Sequence, residues 1–399
     1  MRILFISDVY FPRVNGVSTS MQTFRRELQH LGHEVEIIAP DYGQPESGDN
    51  GLIRVPSRVV MLDPEDRMMK LRSILALDEQ LRRRNFDLIH IQTPFVAHYA
   101  GVTLARRLNI PRLETYHTFF EEYLYHYVPF LPKVWTRYAA RRFSRFQCNE
   151  VNAVVVPSTA MSEVLSDYGV TTHMEVLPTG IEPERFSGGD GARFRAVHGI
   201  SPERPVMLHV GRVAFEKNIG FLLRMLRRVR ELHPDVLFII AGEGPARRAL
   251  RREAQDLGVA DNMKWVGNMD RDAGLLDCYR AANVKVFASR TETQGLVLLE
   301  AMALGVPVVS TAIMGTKDVL RTGCGAEVVA EDEASFAAAV TRVLDDSDLA
   351  GRLGEAGKEY VKSWSAPVLA RRMEDLCGHL VAEHRFRLDA GLTADTRRP

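Results

Sequence analysis

Short runs of apolar residues recur along the chain, separated by longer stretches in which apolar positions return every three or four residues. The runs at 3–7, 35–39, 52–55, 88–91, 113–116, 153–156 and 175–177 are nearly continuous rather than alternating. A strand buried on both faces reads this way. Between the first two, 18–31 places Met21, Phe24, Leu28 and Leu31 on one face of a helix. Such strands separated by helices predict an α/β fold with a parallel sheet covered on both sides. The pattern then starts again. Strands are predicted at 206–210, 236–241, 263–266, 284–288, 308–310 and 327–329, with helices at 220–232, 246–257 and 296–304. Beyond Ala330 the chain reads as mostly helical, interrupted at Trp364-Ser365-Ala366-Pro367, and 368–383 is amphipathic.

Two α/β units suit a length of 399 residues. The stretch 178–205 holds Gly180, Pro183, Gly188, Gly189, Gly191 and Pro202, and reads as the linker between them. Lys plus Arg and Asp plus Glu both number 51, so no global charge favours nucleic acid and any basic patch is local. Four scattered cysteines without a Cys-x-x-Cys predict reduced, structural thiols and a cytoplasmic protein. The N-terminus reads as a buried strand, because Asp8 cuts its apolar run too early for a signal peptide. No apolar run approaches the roughly 18 residues of a membrane span, so a membrane would be met only at its surface.

Three stretches carry candidate chemistry. Gly211-Arg212-Val213-Ala214-Phe215-Glu216-Lys217-Asn218 follows the first strand of the second unit. Arg212 and Lys217 are there either solvated cations or a phosphate clamp, combining a planar fork with a mobile point charge. Glu292-Thr293-Gln294-Gly295-Leu296 runs into a helix that reaches Glu300. The open end of a helix attracts anions. On one helix Glu292 and Glu300 would stand roughly 80° and about 12 Å apart, a span for two ends of an extended ligand rather than an acid/base pair. Asn15-Gly16-Val17-Ser18-Thr19 opens the first helix, either as an ordinary turn capped near Ser18 or Thr19 or as a phosphate-approach loop. It lacks the spacing Gly-x-Gly-x-x-Gly of dinucleotide-binding turns. Asp270-Arg271-Asp272 and Asp346-Ser347-Asp348 read as helix caps rather than metal sites.

The Glu292-to-Glu300 element and the Gly211-to-Asn218 loop, in this order and about eighty residues apart, resemble retaining, nucleotide-sugar-dependent glycosyltransferases of family 4. The resemblance implies the GT-B fold, with two Rossmann-like domains facing across a cleft. It implies an acceptor-binding domain at 1–178, a nucleotide-sugar domain at 179–367 and a last helix near 368–385 returning to the first domain; the polar stretch at 386–399 reads as a flexible tail. It gives Glu292 the donor sugar hydroxyls and Glu300 the nucleotide ribose. Gly16, Gln294, Gly295 and Leu296 fall at the donor as well. His117, in Thr115-Tyr116-His117-Thr118, matches a family histidine beside the transferred sugar; a structural histidine is the alternative. His117, Arg212, Lys217 and Glu292 are thus the implied catalytic set. Gly242-Glu243-Gly244-Pro245 and Val266-Gly267 stand where the family lines its base pocket, or form plain turns. No cofactor and no metal are expected, so the leaving-group charge falls to Arg212, Lys217 and the helix end.

For the acceptor, Tyr123-Leu124-Tyr125-His126-Tyr127-Val128-Pro129-Phe130 is aromatic and apolar. Lys133, Arg137, Arg141 and Arg145 follow at four-residue spacing, with Trp135 and Tyr138 between them. On a helix such like charges repel by roughly 0.2–0.5 kcal/mol per pair, which an anionic partner relieves. An anionic membrane surface would contribute roughly 4 kcal/mol to such a stripe. The alternative is a solvated basic face paired within the fold. Arg67-Met68-Met69-Lys70-Leu71-Arg72 is a second basic, Met-rich segment. The combination of Asp8-Val9-Tyr10-Phe11-Pro12, Asn15-Gly16-Val17-Ser18, the stretch from His117 to Tyr123 and Glu292-Thr293-Gln294-Gly295 most resembles bacterial diacylglycerol glucosyltransferases. The expected partners are a UDP-sugar, a lipid acceptor and the inner face of the cytoplasmic membrane. Another lipid or soluble acceptor, a sugar-nucleotide epimerase and a non-catalytic binding module are the alternatives.

Overall fold

The computed structural model describes residues 1–13, 15–43, 48–60, 63–117, 133–270 and 274–391. The aromatic segment at 123–130 therefore lies outside the described residues, as do Arg271 and Asp272 and the last eight positions. The chain divides into two compact units, one of residues 1–180 with 366 onward, the other of 181–365.

The first unit is built on strands β1 (Arg2–Ile6), β2 (Glu34–Pro40), β3 (Leu52–Val55), β6 (Leu88–Ile91), β7 (Arg112–Thr115), β8 (Ala153–Val156) and β9 (His173–Val176). Their order is β3-β2-β1-β6-β7-β8-β9, and the neighbours pair in parallel. Between β3 and β6 stands a separate antiparallel hairpin, β4 (Ser57–Val60) and β5 (Asp63–Met69). Helices α1 (Gly16–His30), α2 (Val96–Leu108) and α3 (Lys133–Cys148) belong to the same unit.

The second unit repeats the plan. Strands β10 (Val206–Val210), β11 (Leu237–Ala241), β12 (Met263–Gly267), β13 (Val284–Phe287), β14 (Val308–Ser310) and β15 (Ala326–Val328) run parallel in the order β12-β11-β10-β13-β14-β15. Its helices include α4 (Gly191–Val197), α5 (Ile219–Leu232), α6 (Arg247–Asp256), α7 (Gly274–Arg280), α8 (Leu296–Ala303), α9 (Glu333–Asp345) and α10 (Ser347–Val361). The central strands β10, β11 and β13 are buried end to end, which is why their sequences are apolar except at His209 of β10 and Lys285 of β13.

In both sheets the winding direction reverses beside the first strand, between β1 and β6 and between β10 and β13. Doubly wound sheets bind ligands at such switch points, beyond the C-terminal ends of the strands.

The stretch read as a linker is mostly folded. Residues 183–186 form a 3₁₀ turn, and α4 packs on α7. A methyl on Gly191 would sit 2.3 Å from Arg280 O, and Gly189, at φ +91°, lies tight against Leu276. These glycines permit close packing, not flexibility. The chain leaves the first unit at Gly180 and returns at Ala366, where α11 (Ala366–Asp389) begins. Leu369, Ala370, Met373, Cys377, Leu380 and Val381 of α11 join Met21, Phe24 and Leu28 of α1 in one core.

Candidate functional site

The loops after β10, β11 and β12 are tied together through their backbones. Gly211 N donates to Ala241 O at 3.0 Å, Val213 N to Glu243 O at 2.9 Å, and Gly242 N to Gly267 O at 2.7 Å. Gly211, Gly242 and Gly244 have φ of +146°, +143° and +158°. A methyl on Gly242 would meet Gly211 O at 2.0 Å, and one on Gly244 would meet Val213 O at 2.3 Å. Loop packing thus accounts for the glycines of Gly242-Glu243-Gly244-Pro245.

That frame presents Lys217, in a 3₁₀ turn at Phe215–Lys217, to the loop after β13. Lys217 Nζ donates to Glu292 Oε2 at 2.6 Å, and the two side chains are 19 % and 20 % exposed. Residues 75 positions apart therefore form one partly exposed ion pair at the β10/β13 switch point. Arg212 is exposed on the same loop.

Glu292 precedes α8 rather than lying on it, so Glu292 and Glu300 do not share a helix. Gly295 is the N-cap of α8 at φ +96°, a left-handed conformation that glycine adopts without strain, and no side chain caps that end. The helix thus begins with its first N–H groups unclaimed by any cap side chain, and its positive end beside Glu292 and Lys217. Gln294 is buried and Leu296 half-buried. Glu300 is only 3 % exposed, and Tyr279 Oη donates to its Oε2 at 2.8 Å.

Gly315, a residue the sequence did not single out, holds this loop from behind. Its N–H donates to Glu292 O at 3.0 Å, and a methyl there would sit 1.9 Å from Thr293 O.

In the first unit, polar side chains gather at the C-terminal ends of β1, β6 and β7. Asp8 is buried, and its Oδ2 accepts from Thr93 Oγ1 at 2.8 Å and from Ala97 N at 3.0 Å, at the start of α2. Burial raises its pKa to about 6 against those hydrogen bonds. His117 is half-buried and its Nε2 meets Gln92 Oε1 at 2.9 Å. Burial lowers His117 to about 4 and His90 behind it to about 3, so both rings are neutral near pH 7. Asp8 and Gln92 were not identified from the sequence; a carboxylate at the end of an apolar strand was the available signal.

The cap of α1 is Asn15. Its Oδ1 accepts from Ser18 N at 2.9 Å while Ser18 Oγ accepts from Asn15 N at 2.9 Å, a reciprocal capping box. Ser18 is its second member, and Thr19 N donates to Asn15 O at 3.0 Å. Gly16 is exposed, with open space where a side chain would stand. Asp346 caps α10 through Leu349 N.

On α3 the small residues Thr136, Ala140, Ser144 and Cys148 are buried at four-residue spacing. The opposite side carries Trp135 at 68 % and Tyr138 at 63 % exposure, together with exposed Arg137, Arg141, Arg142 and Arg145. Arg141 also lies over the Tyr168 ring at 5.2 Å. The side chain of Lys133 is outside the described residues. Among the described residues no helix is long and apolar enough to cross a membrane.

Comparison with known proteins matches residues 14–185 to the model for Glycosyltransferase Family 4 and 190–360 to the model for Glycosyl transferases group 1. The chain is 34 % identical over 319 residues to an alpha-monoglucosyldiacylglycerol synthase of Streptococcus pneumoniae, covering 78 % of this chain and 71 % of the relative. It is 26 % identical over 380 residues to a GDP-mannose-dependent alpha-mannosyltransferase of Corynebacterium glutamicum, covering 92 % and 86 %. The structure of a sucrose-phosphate synthase from Thermosynechococcus elongatus superposes with a TM-score of 0.77 at 22 % identity, covering 96 % and 99 %.

Proposed function

The chain belongs to the family 4 glycosyltransferases and has their GT-B fold, and we propose that it moves glucose from UDP-glucose to 1,2-diacylglycerol with retention, giving an α-glucosyl diacylglycerol. The Lys217–Glu292 pair beside the uncapped start of α8 carries the donor half of this reading. A sugar diphosphate needs positive charge at its phosphates and acceptors at its hydroxyls, and this corner offers both within 2.6 Å. Lys217, Arg212 and the α8 end take the charge that grows on the leaving diphosphate, in a preorganised setting. Glu292 accepts from the sugar hydroxyls, and Glu300 serves the nucleotide. Retention follows a front-face path in which the leaving phosphate assists the incoming hydroxyl. Gly16 and His117 are assigned to the substrates from the first unit. No metal is assigned a role.

The acceptor half rests on α3 and on the similarity to a glucosyldiacylglycerol synthase. Exposed aromatic rings interleaved with arginines suit an anionic headgroup region. The enzyme then works on the inner face of the cytoplasmic membrane. A second reading, mannosyl transfer from GDP-mannose to a lipid or sugar acceptor, is favoured by the mannosyltransferase similarity along nearly the whole chain.

The test is a turnover screen on the purified protein. UDP-glucose, UDP-galactose, UDP-glucuronic acid and GDP-mannose are each offered with diacylglycerol in mixed micelles, with and without anionic lipid, and with soluble sugars. Glucosyl diacylglycerol with an α linkage by NMR is the expected product. Turnover confined to GDP-mannose, or to soluble acceptors, would replace the donor or acceptor assignment respectively.

A further inference from the structure

Behind the donor corner lies a lysine that the mechanism above does not use. Lys285 sits in the middle of β13, in a row with Leu208 of β10 and Val308 of β14. It is 0 % exposed, and its Nζ makes no hydrogen bond among the described residues. An ammonium in the centre of an apolar sheet is costly unless charge or hydrogen bonds compensate it. Here the compensation is electrostatic. Nζ lies 5.6 Å from the Tyr279 ring and 5.7 Å from the Phe287 ring. Both separations are within cation–π range. The acidic groups facing it are Glu300 of α8, Cys278 of α7 and Glu292. His209 of β10, stacked on Phe287 with ring centroids 6.0 Å apart, faces it too. Burial holds His209 near 3, so that ring adds no charge around neutral pH. Tyr279 links the two ends of the cluster: its ring faces the ammonium while its hydroxyl donates to Glu300.

We propose that Lys285 is a positioning residue for donor recognition, the buried counter-charge that fixes Glu300, through Tyr279, for contact with a nucleoside diphosphate. This rests on the reading of Glu300 as a nucleotide contact. Lys217 and Glu292 form the partly exposed ion pair of the corner; Lys285 and Glu300 are its buried charges, joined through Tyr279 rather than by a direct hydrogen bond. Burial lowers Lys285 to about 7, against the attraction of Glu300, Cys278 and Glu292. Its charge is therefore present below that pH and lost as pH rises through it, which links donor affinity to pH.

The experiment is calorimetric titration of the full chain with UDP and with GDP between pH 6 and 8.5, for wild type, Lys285→Met, Glu300→Gln and the double variant. Methionine keeps the length of the side chain and packs beside Leu208 and Val308, so folding is retained; melting curves check it. Wild type is expected to bind its preferred nucleotide about tenfold more weakly at pH 8.5 than at pH 6. Lys285→Met is expected to show the weak affinity at both pH values, and to add nothing to Glu300→Gln. Titration of the ligand's own phosphate is common to all four proteins and cancels in the ratios. Wild-type affinity and pH profile in Lys285→Met, with affinity lost in Glu300→Gln, would overturn the role of Lys285 and leave the nucleotide contact standing. Unchanged affinity in Glu300→Gln would overturn the nucleotide contact itself. If Lys285→Met does not fold, the ratio of wild-type to Glu300→Gln affinity decides, because the ligand's titration cancels in it: a ratio constant from pH 6 to 8.5 refutes the proposal.

Discussion

Replacing Gly315 by alanine should injure catalysis from a position that bears no functional group. The backbone there is ordinary, with φ −62°, so alanine meets no conformational penalty. The difficulty is steric. The new methyl would stand 1.9 Å from Thr293 O, 2.3 Å from Thr293 C and 2.9 Å from Gln294 N. Side-chain β-carbons essentially never come within 3.0 Å of another heavy atom, so the two backbones must separate by about 1.1 Å. If the Gly315 loop takes half of this, the 292–295 loop still moves by about 0.5 Å, the tolerance of a productive constellation. If it takes less, the loop moves by about 1 Å, a misplacement that costs about 100-fold in rate. The overlap also destabilises by roughly 1–3 kcal/mol. The assay is steady-state kcat and donor KM for Gly315→Ala beside a control, Gly351→Ala. Gly351 lies on α10 with nothing within 4 Å of a new methyl. The control should keep wild-type kinetics and gain about 0.5–1 kcal/mol of stability. A Gly315→Ala enzyme with kcat within about threefold of wild type would refute the reasoning: the overlap would then be absorbed away from Glu292.

Lys217→Ala should lower kcat by about 10²–10³-fold with little change in melting temperature, by analogy with loss of one preorganised donor to developing charge; activity near wild type would remove Lys217 from the diphosphate. Changing Arg137, Arg141 and Arg145 together to glutamate should abolish sedimentation with vesicles of anionic lipid while UDP affinity stays as it was; persistent co-sedimentation would free α3 of its membrane role. His98 gives a pH test of the first unit. Burial opposes its charge, but Glu114 at 2.9 Å and Glu150 at 3.3 Å outweigh this and raise its pKa to about 9. The contribution is fully present below the unfolded pKa of 6.5 and is lost as pH rises through about 9. It amounts to about 3 kcal/mol at most. The stability gap between wild type and His98→Gln, measured by urea unfolding from pH 6 to 10, should therefore close at the alkaline end, and a gap constant with pH would show that His98 does not carry this charge.

Much of the fold could be read from the sequence because parallel strands buried on both faces leave unbroken apolar runs. Leu237–Ala241 is such a case, Val206–Val210 is broken only by His209, and the observed strands fall on both. The β4–β5 hairpin left no such trace. Val59 and Met68 are about half exposed, and much of β5 is Asp63-Pro64-Glu65-Asp66-Arg67, with no apolar face to signal a strand. The glycines at 188–191 misled for a physical reason. A glycine that admits a neighbouring backbone and a glycine in a loose linker are the same letter, and only Arg280 and Leu276, about ninety residues on, tell them apart. Lys217 and Glu292 each stood out locally, whereas their pairing depends on strand order. Gly315 had no chemistry to announce it. Lys285 was visible in principle, as the one ionisable residue in Val284-Lys285-Val286-Phe287, but a strand predicted to be buried on both faces gave it no partner until α7 and α8 were placed.

The return of α11 to the first core has a consequence for biosynthesis. Chains leave the ribosome N-terminus first, and domains usually fold in that order. Here the order inverts. By the time Ser365 has emerged, the second unit holds every residue it needs, whereas the first still lacks Leu369, Ala370, Met373, Cys377, Leu380 and Val381. For the whole interval in which the second unit is synthesised, the core around Met21, Phe24 and Leu28 of α1 has its sheet side, including Ile3, Phe5, Val35 and Ile37, but lacks the side that α11 supplies. The nascent protein is thus one in which the later half matures first, and the earlier half keeps an open, chaperone-accessible face until the final helix arrives.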